Sequence, residues 1–129
     1  MDRQPHVRQF INTNSLAIHR ESFADARIIY LSIENTIGEL AGYIILVLEK
    51  RGSIEFRRVL IDESQRGIGQ TAIVMMEEYC KQTLSSTRIW LDVYEDNEVG
   101  KYIYEKLGYN RFKVEMVGRR ELYFYEKLL

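Results

Sequence analysis

One short stretch constrains the fold of this chain more than any other. Gln65-Arg66-Gly67-Ile68-Gly69-Gln70 follows an apolar run, Val59-Leu60-Ile61, and opens a helical pattern that continues to Leu84. A strand, a glycine turn and a helix in that order aim backbone N–H groups and the positive end of a helix dipole at an anion. Glycines let the backbone come close to a phosphate. Gly69 is followed by Gln70-Thr71, so the Lys-Ser/Thr pair of a triphosphate-binding loop is missing. The pattern suits a diphosphate-bearing cofactor better than a nucleotide triphosphate with magnesium. By itself it also describes an ordinary tight turn capping a helix.

The flanking segments place this turn in an α/β fold. Ala26 to Ile33 is rich in β-branched and aromatic residues and reads as a strand. Ala41 to Leu48 is nearly all apolar and reads as a central strand, and Lys50-Arg51-Gly52-Ser53 turns the chain into another, Ile54 to Ile61. These strands form an antiparallel meander. Ile68, Ala72, Met75, Met76, Tyr79, Cys80 and Leu84 recur at helical spacing, which describes a core-facing stripe. Arg88 to Tyr94 is the next strand, joined through the helix by a right-handed parallel crossover. A second helix spans Asn97 to Leu107, with Asn97 as N-cap and Gly108 as its stop. Tyr109 to Val117 and Arg120 to Leu128 form a hairpin closed at Gly118-Arg119. Met1 to Ala24 reads as helical or irregular, with Pro5 at a helix start and Asn14 or Ser15 capping a short helix that carries Leu16, Ile18 and Phe23. The expectation is one domain over residues 1–129, a mixed sheet of about six strands flanked by the helices Ile68–Leu84 and Asn97–Leu107.

Composition narrows the partners. The net charge of -1 offers no electrostatic case for nucleic acid or an anionic membrane. No apolar segment reaches membrane-spanning length and no signal peptide opens the chain. Cys80 is the only cysteine, which fits a reducing cytoplasm, and its helical spacing makes it a packed thiol. His6 and His19 have no partner at metal-ligand spacing, so no metal site is expected. Glu77-Glu78 reads as a solvated helix face.

Together these residues carry a resemblance. The succession IEFRRVLID, QRGIG, RIWLDVYEDN and YIYEKLGY resembles the GNAT superfamily of acyl-CoA-dependent N-acetyltransferases. It is nearest the bacterial branch acting on ribosomal-protein N-termini and polyamines. The resemblance covers Asn14 to Glu115. Its most specific element is Asp92 to Asn97 followed by Tyr104-Glu105-Lys106-Leu107-Gly108-Tyr109, where Tyr109 stands in place of the usual Phe. In the family's phosphate loop Gly67 and Gly69 fit, while the usual Gln or Arg of the first position falls on Ser64. The family's first strand and helix are expected to be missing here. That leaves a sheet edge for a second copy to cover, a possible homodimer.

The resemblance implies transfer of an acetyl group from acetyl-CoA to a primary amine, by direct attack in a ternary complex. The acceptor would be a small-molecule amine or a protein N-terminus. It implies that Gln65, Arg66, Gly67, Ile68, Gly69 and Gln70, with Thr71 in the first turn, hold the pyrophosphate. Backbone groups of Val59, Leu60 and Ile61 would pair with the pantetheine arm, entering through a gap between this strand and Arg88–Tyr94. Asn97 would hydrogen-bond the cofactor. Tyr104 is the candidate general acid, protonated at neutral pH because a tyrosine's ordinary pKa is about 10; spacing alone reads it equally as a packed aromatic. Glu55 is the candidate general base, or else a solvated strand carboxylate. Asp92 and Glu95 are weaker candidates for the same role. A non-catalytic acyl-CoA-binding regulatory or assembly domain is the alternative function.

Overall fold

The computed structural model describes residues 8–9, 16–21, 26–35, 37–61 and 68–129. All their strands belong to one mixed sheet. The strands are β1 (Arg8–Gln9), β2 (Ala17–Glu21), β3 (Ile28–Glu34), β4 (Leu40–Leu48), β5 (Ser53–Ile61), β6 (Arg88–Tyr94), β7 (Asn110–Val117) and β8 (Arg120–Leu128). Helix α1 (Gly69–Gln82) links β5 to β6, and α2 (Glu98–Lys106) links β6 to β7. The spatial order is β1-β2-β3-β4-β5-β6-β8-β7. Every neighbouring pair is antiparallel except β5 with β6. The mixed sheet with two helices is as expected.

The strand count is higher than about six because the sheet has eight strands. The helix expected to carry Leu16 and Ile18 is instead the strand β2, paired along its length with β3. Ile18 is fully buried on one face, and Ala17 and His19 are buried on the other. A strand buried on both faces shows no period-two signal, and a short run after a capping residue then mimics a helix start. β2 also occupies the β3 edge that was expected to lie bare. Pro5, Asn14, Ser15 and Phe23 lie outside the described residues.

Both helices contribute to one core, on one face of the sheet. Met75, Met76, Tyr79 and Cys80 of α1 are fully buried with Ile29, Leu31, Ile44, Leu46, Ile54 and Ile89. Each large side chain of this kind adds about 1.5–3 kcal/mol by leaving water. Ile103, Tyr104 and Leu107 of α2 pack against the same cluster. Burial raises the Cys80 thiol to about 12, as suits a packed residue. Glu77 departs from the solvated face expected for it. It is 8% exposed and its Oε1 lies 3.0 Å from Lys127 Nζ. Lys127 also donates to the Leu107 carbonyl at 2.7 Å, so one cation serves a buried carboxylate and a helix C-terminus.

Candidate active site

The site grows from a parting of two strands. β5 and β6 pair at Ser53↔Arg88, Ile54↔Ile89 and Glu55↔Trp90 only. Both run on, to Ile61 and Tyr94, without further pairing. The cause lies in β5. Leu46 faces Phe56 and Ile45 faces Arg58, so Arg57 is an extra residue, a β-bulge. A bulge bends its strand and increases the twist. Beyond it, Val59, Leu60 and Ile61 remain paired with Ile44, Tyr43 and Gly42 of β4. Their other edge, toward the cleft, has no strand beside it among the described residues. This is the gap expected from the resemblance. An open edge inside a sheet can take an extended, amide-bearing chain as an added strand. Gly42 holds the outer end together, since a Cβ there would lie 2.2 Å from the Leu60 carbonyl oxygen.

Helix α1 begins at Gly69, after β5 ends at Ile61. The N-cap position is Ile68, which provides no side-chain cap. Among the described residues no side chain caps the first-turn N–H groups of α1. Gly69, the first helical residue, has open space where a Cβ would project. Among the described residues nothing in the packing requires glycine there. Gln70 and Thr71 follow in the first turn and are half-buried. Gln65, Arg66 and Gly67 lie outside the described residues.

The helix-covered side of the cleft carries Tyr104. Its position follows from a C-terminal motif spelled by Tyr104 to Tyr109. Tyr109 N–H donates to the Tyr104 carbonyl at 2.9 Å and Gly108 N–H to the Glu105 carbonyl at 3.1 Å. Gly108 adopts φ 97°, the left-handed conformation this motif demands. The motif brings the rings of Tyr104 and Tyr109 together at 5.9 Å. Phe56, on the bulged strand, meets Tyr104 edge-on at 6.0 Å. Burial raises the Tyr104 hydroxyl above its ordinary pKa, so it stays protonated at neutral pH. Asn97 caps α2 as expected, its Oδ1 accepting from Gly100 N–H at 2.9 Å. Among the described residues its Nδ2 group makes no hydrogen bond and can donate.

The opposite face of the sheet, free of helices among the described residues, presents carboxylates. Side chains alternate along a strand, so Glu55 projects away from Ile54 and Phe56. Arg57 Nη2 donates to Glu55 Oε1 at 2.8 Å. Asp92 is raised above the usual carboxylate range, first by partial burial and then by the negative charge of Glu55, against the pull of Arg57. Glu49 adds to the same field around Arg57 and accepts from Trp90 Nε1 at 2.8 Å. Glu95 lies apart, 3.7 Å from Lys101 Nζ. Sequence reasoning passed over Arg57 and Glu49. A signal for Arg57 was present: the apolar positions of β5 shift from Ile54 and Phe56 to Val59 and Ile61, a change of parity that marks a bulge. Among the described residues no group of three or more His, Cys, Asp or Glu is placed to hold a metal. No described helix is long and apolar enough to cross a membrane.

The model of the acetyltransferase (GNAT) family matches residues 4–109. The chain belongs to this family. The acetyltransferase uses acetyl-CoA as cosubstrate and transfers its acetyl group to an amine. No curated protein matches the sequence. Similar solved structures include spermidine N-acetyltransferase from Vibrio cholerae in complex with CoA and spermine. It is 21% identical, with a TM-score of 0.72 over 81% of this chain and 68% of that chain. A chimera of the Vibrio cholerae enzyme SpeG and hSSAT is 20% identical, with a TM-score of 0.73 over 81% and 70%. A dodecameric structure of the Vibrio cholerae enzyme is 20% identical, with a TM-score of 0.71 over 81% and 66%. At such identities the likeness concerns the fold.

Proposed function

We propose that this acetyltransferase acts on an aliphatic polyamine, with the amine entering from the helix-free face of the sheet and the thiol leaving toward α2. One observation carries this reading. The cleft opened by the Arg57 bulge has carboxylates, Glu55 and Asp92, on one face and a protonated tyrosine, Tyr104, on the other. The acetyl acceptor must lose a proton and the departing sulfur must gain one, so a base and an acid on opposite sides of the reacting carbon match the reaction.

In this reading the first turn of α1, Ile68 to Thr71, binds the pyrophosphate through backbone N–H groups, together with Gln65, Arg66 and Gly67. Backbone groups of Val59, Leu60 and Ile61 align the pantetheine arm, and one N–H polarises the thioester carbonyl. Asn97 donates to the cosubstrate from Nδ2. The acceptor ammonium gives its proton through water to a carboxylate. Glu55 was the expected base, but Arg57 already occupies it. Asp92, with its raised proton affinity, is the better acceptor of that proton, and Glu55 serves to attract the cation. The amine nitrogen then bonds to the carbonyl carbon, the C–S bond breaks, Tyr104 gives its hydroxyl proton to the sulfur, and the second proton shed by the nitrogen as it becomes an amide returns to the tyrosinate.

A polyamine is favoured over a lone amine because the carboxylates extend along the face. Glu49, Glu55 and Asp92 all act on Arg57. The structural neighbours, spermidine N-acetyltransferases, point the same way. The test is thiol release from acetyl-CoA with spermidine, butylamine and a short peptide as acceptors. Spermidine should lead butylamine in kcat/KM by about tenfold or more, since a second ammonium gains one further charge pair. A peptide N-terminus turned over faster than spermidine would sink the polyamine reading.

A further inference from the structure

The Arg57 guanidinium stands where the proposed acceptor would bring its own charge. Arg57 is the extra residue of the β5 bulge. It donates to Glu55 from Nη2 at 2.8 Å and from Nε at 3.4 Å. Asp92 and Glu49 act on it as well. Glu49 is itself held, accepting from Trp90 Nε1 at 2.8 Å and from Ser53 Oγ at 3.2 Å. Carboxylates from β5, from β6 and from the connection between β4 and β5 thus gather around one cation that the chain supplies itself.

The two partners of this ion pair are unequally fixed. The Glu55 side chain is 16% exposed and that of Arg57 is 52% exposed. The carboxylate is set into the sheet, while the guanidinium reaches it from the solvent side. Among the described residues Glu55 is the only hydrogen-bond partner of Arg57. A pair with one partner so exposed holds weakly, so a second cation can take the place of the first. The guanidinium keeps its charge at every working pH, so competition moves it and titration does not. We propose that Arg57 is a built-in competitor of the acceptor: its guanidinium fills the ammonium subsite made by Glu49, Glu55 and Asp92, and an amine binds there by displacing it. The proposal rests on the reading that the amine enters over Glu55 and Asp92. It makes Arg57 a specificity-determining residue, because an acceptor without positive charge gains nothing from the carboxylates and does not dislodge it.

The test is titration calorimetry of the whole chain, with CoA present, against spermidine and against butylamine. Arg57→Gln removes the charge at an exposed position, and a thermal melt checks its folding. It should bind both amines about tenfold more tightly, the worth of one screened charge pair. Arg57→Lys keeps the charge and loses the two-pronged grip, so its affinities should lie between wild type and Arg57→Gln; if Arg57→Gln does not fold, this variant carries the test with the same sign. The affinity for CoA alone should be equal in all three proteins, and a parallel gain there would overturn the proposal. Amine binding that is unchanged or weaker in Arg57→Gln overturns it too. So does an Arg57→Lys that binds as tightly as Arg57→Gln, since charge would then not be the cause. Failure of the polyamine reading looks different. Spermidine and butylamine would then bind alike, and tightening of both in Arg57→Gln would still support the competitor.

Discussion

Replacing Tyr104 with Phe removes one oxygen and leaves the ring contacts with Phe56 at 6.0 Å and Tyr109 at 5.9 Å in place. Among the described residues the Tyr104 hydroxyl makes no hydrogen bond, so its loss should change stability by less than about 1 kcal/mol. Acetyl-CoA affinity should also hold, because the proton is needed only as the C–S bond breaks. General acid catalysis contributes about 10²–10⁴-fold, or roughly 3–5 kcal/mol of barrier. Water in an open cleft can partly replace the hydroxyl, so the fall should lie near a hundredfold, about 2.7 kcal/mol. It should appear equally in kcat and kcat/KM, as for an interaction made in the transition state. Tyr109→Phe is the matched control. That hydroxyl is buried beside Glu77, on the side of α1 away from the reacting atoms, so its removal should spare kcat. The assay is thiol release with an accepted amine, beside thermal melts of both variants. If Tyr104→Phe turns over within about twofold of wild type, Tyr104 is only a packing residue.

Gly69→Leu should leave the melting temperature unchanged or higher, since a Cβ there meets open space. It should weaken acetyl-CoA by about tenfold, the loss of a hydrogen bond to a charged group; unchanged affinity by titration calorimetry would take the α1 start out of the site. Gly42→Ala drives a Cβ to within 2.2 Å of the Leu60 oxygen, so it should cost about 1–3 kcal/mol and also weaken acetyl-CoA by displacing Leu60 and Ile61; a variant that melts like wild type would contradict the close approach. Alkali should destabilise the fold through Cys80, raised from 9.0 to about 12. Below pH 9 folded and unfolded chains both keep the thiol proton. Between there and about 12 only the folded chain does, so this group's contribution falls by about 1.4 kcal/mol per pH unit. Denaturant melts of Cys80→Ala over that range should show a shallower decline, and an identical slope would show that Cys80 does not carry it.

Local chemistry makes much of this protein legible in its sequence. Arg88–Tyr94 is a strand in its entirety, and Asn97 and Gly108 bound α2 as their side chains require. Tyr104 and Tyr109 meet because a glycine stop fixes their spacing. These features depend on residues a few positions apart, where propensity and capping operate. What depended on partners distant in the chain was decided by the tertiary structure. β2 is a strand because β3 offers an edge to it, and its burial on both faces erased the alternation that would have announced it. Glu77 is buried because Lys127, fifty positions on, reaches it. Asp92 gained proton affinity because the fold partly buries it and the parallel crossover then sets it near Glu55, on a strand joined to β5 only through α1. Charge and burial are sums over neighbours in space, and only the folded chain chooses those neighbours.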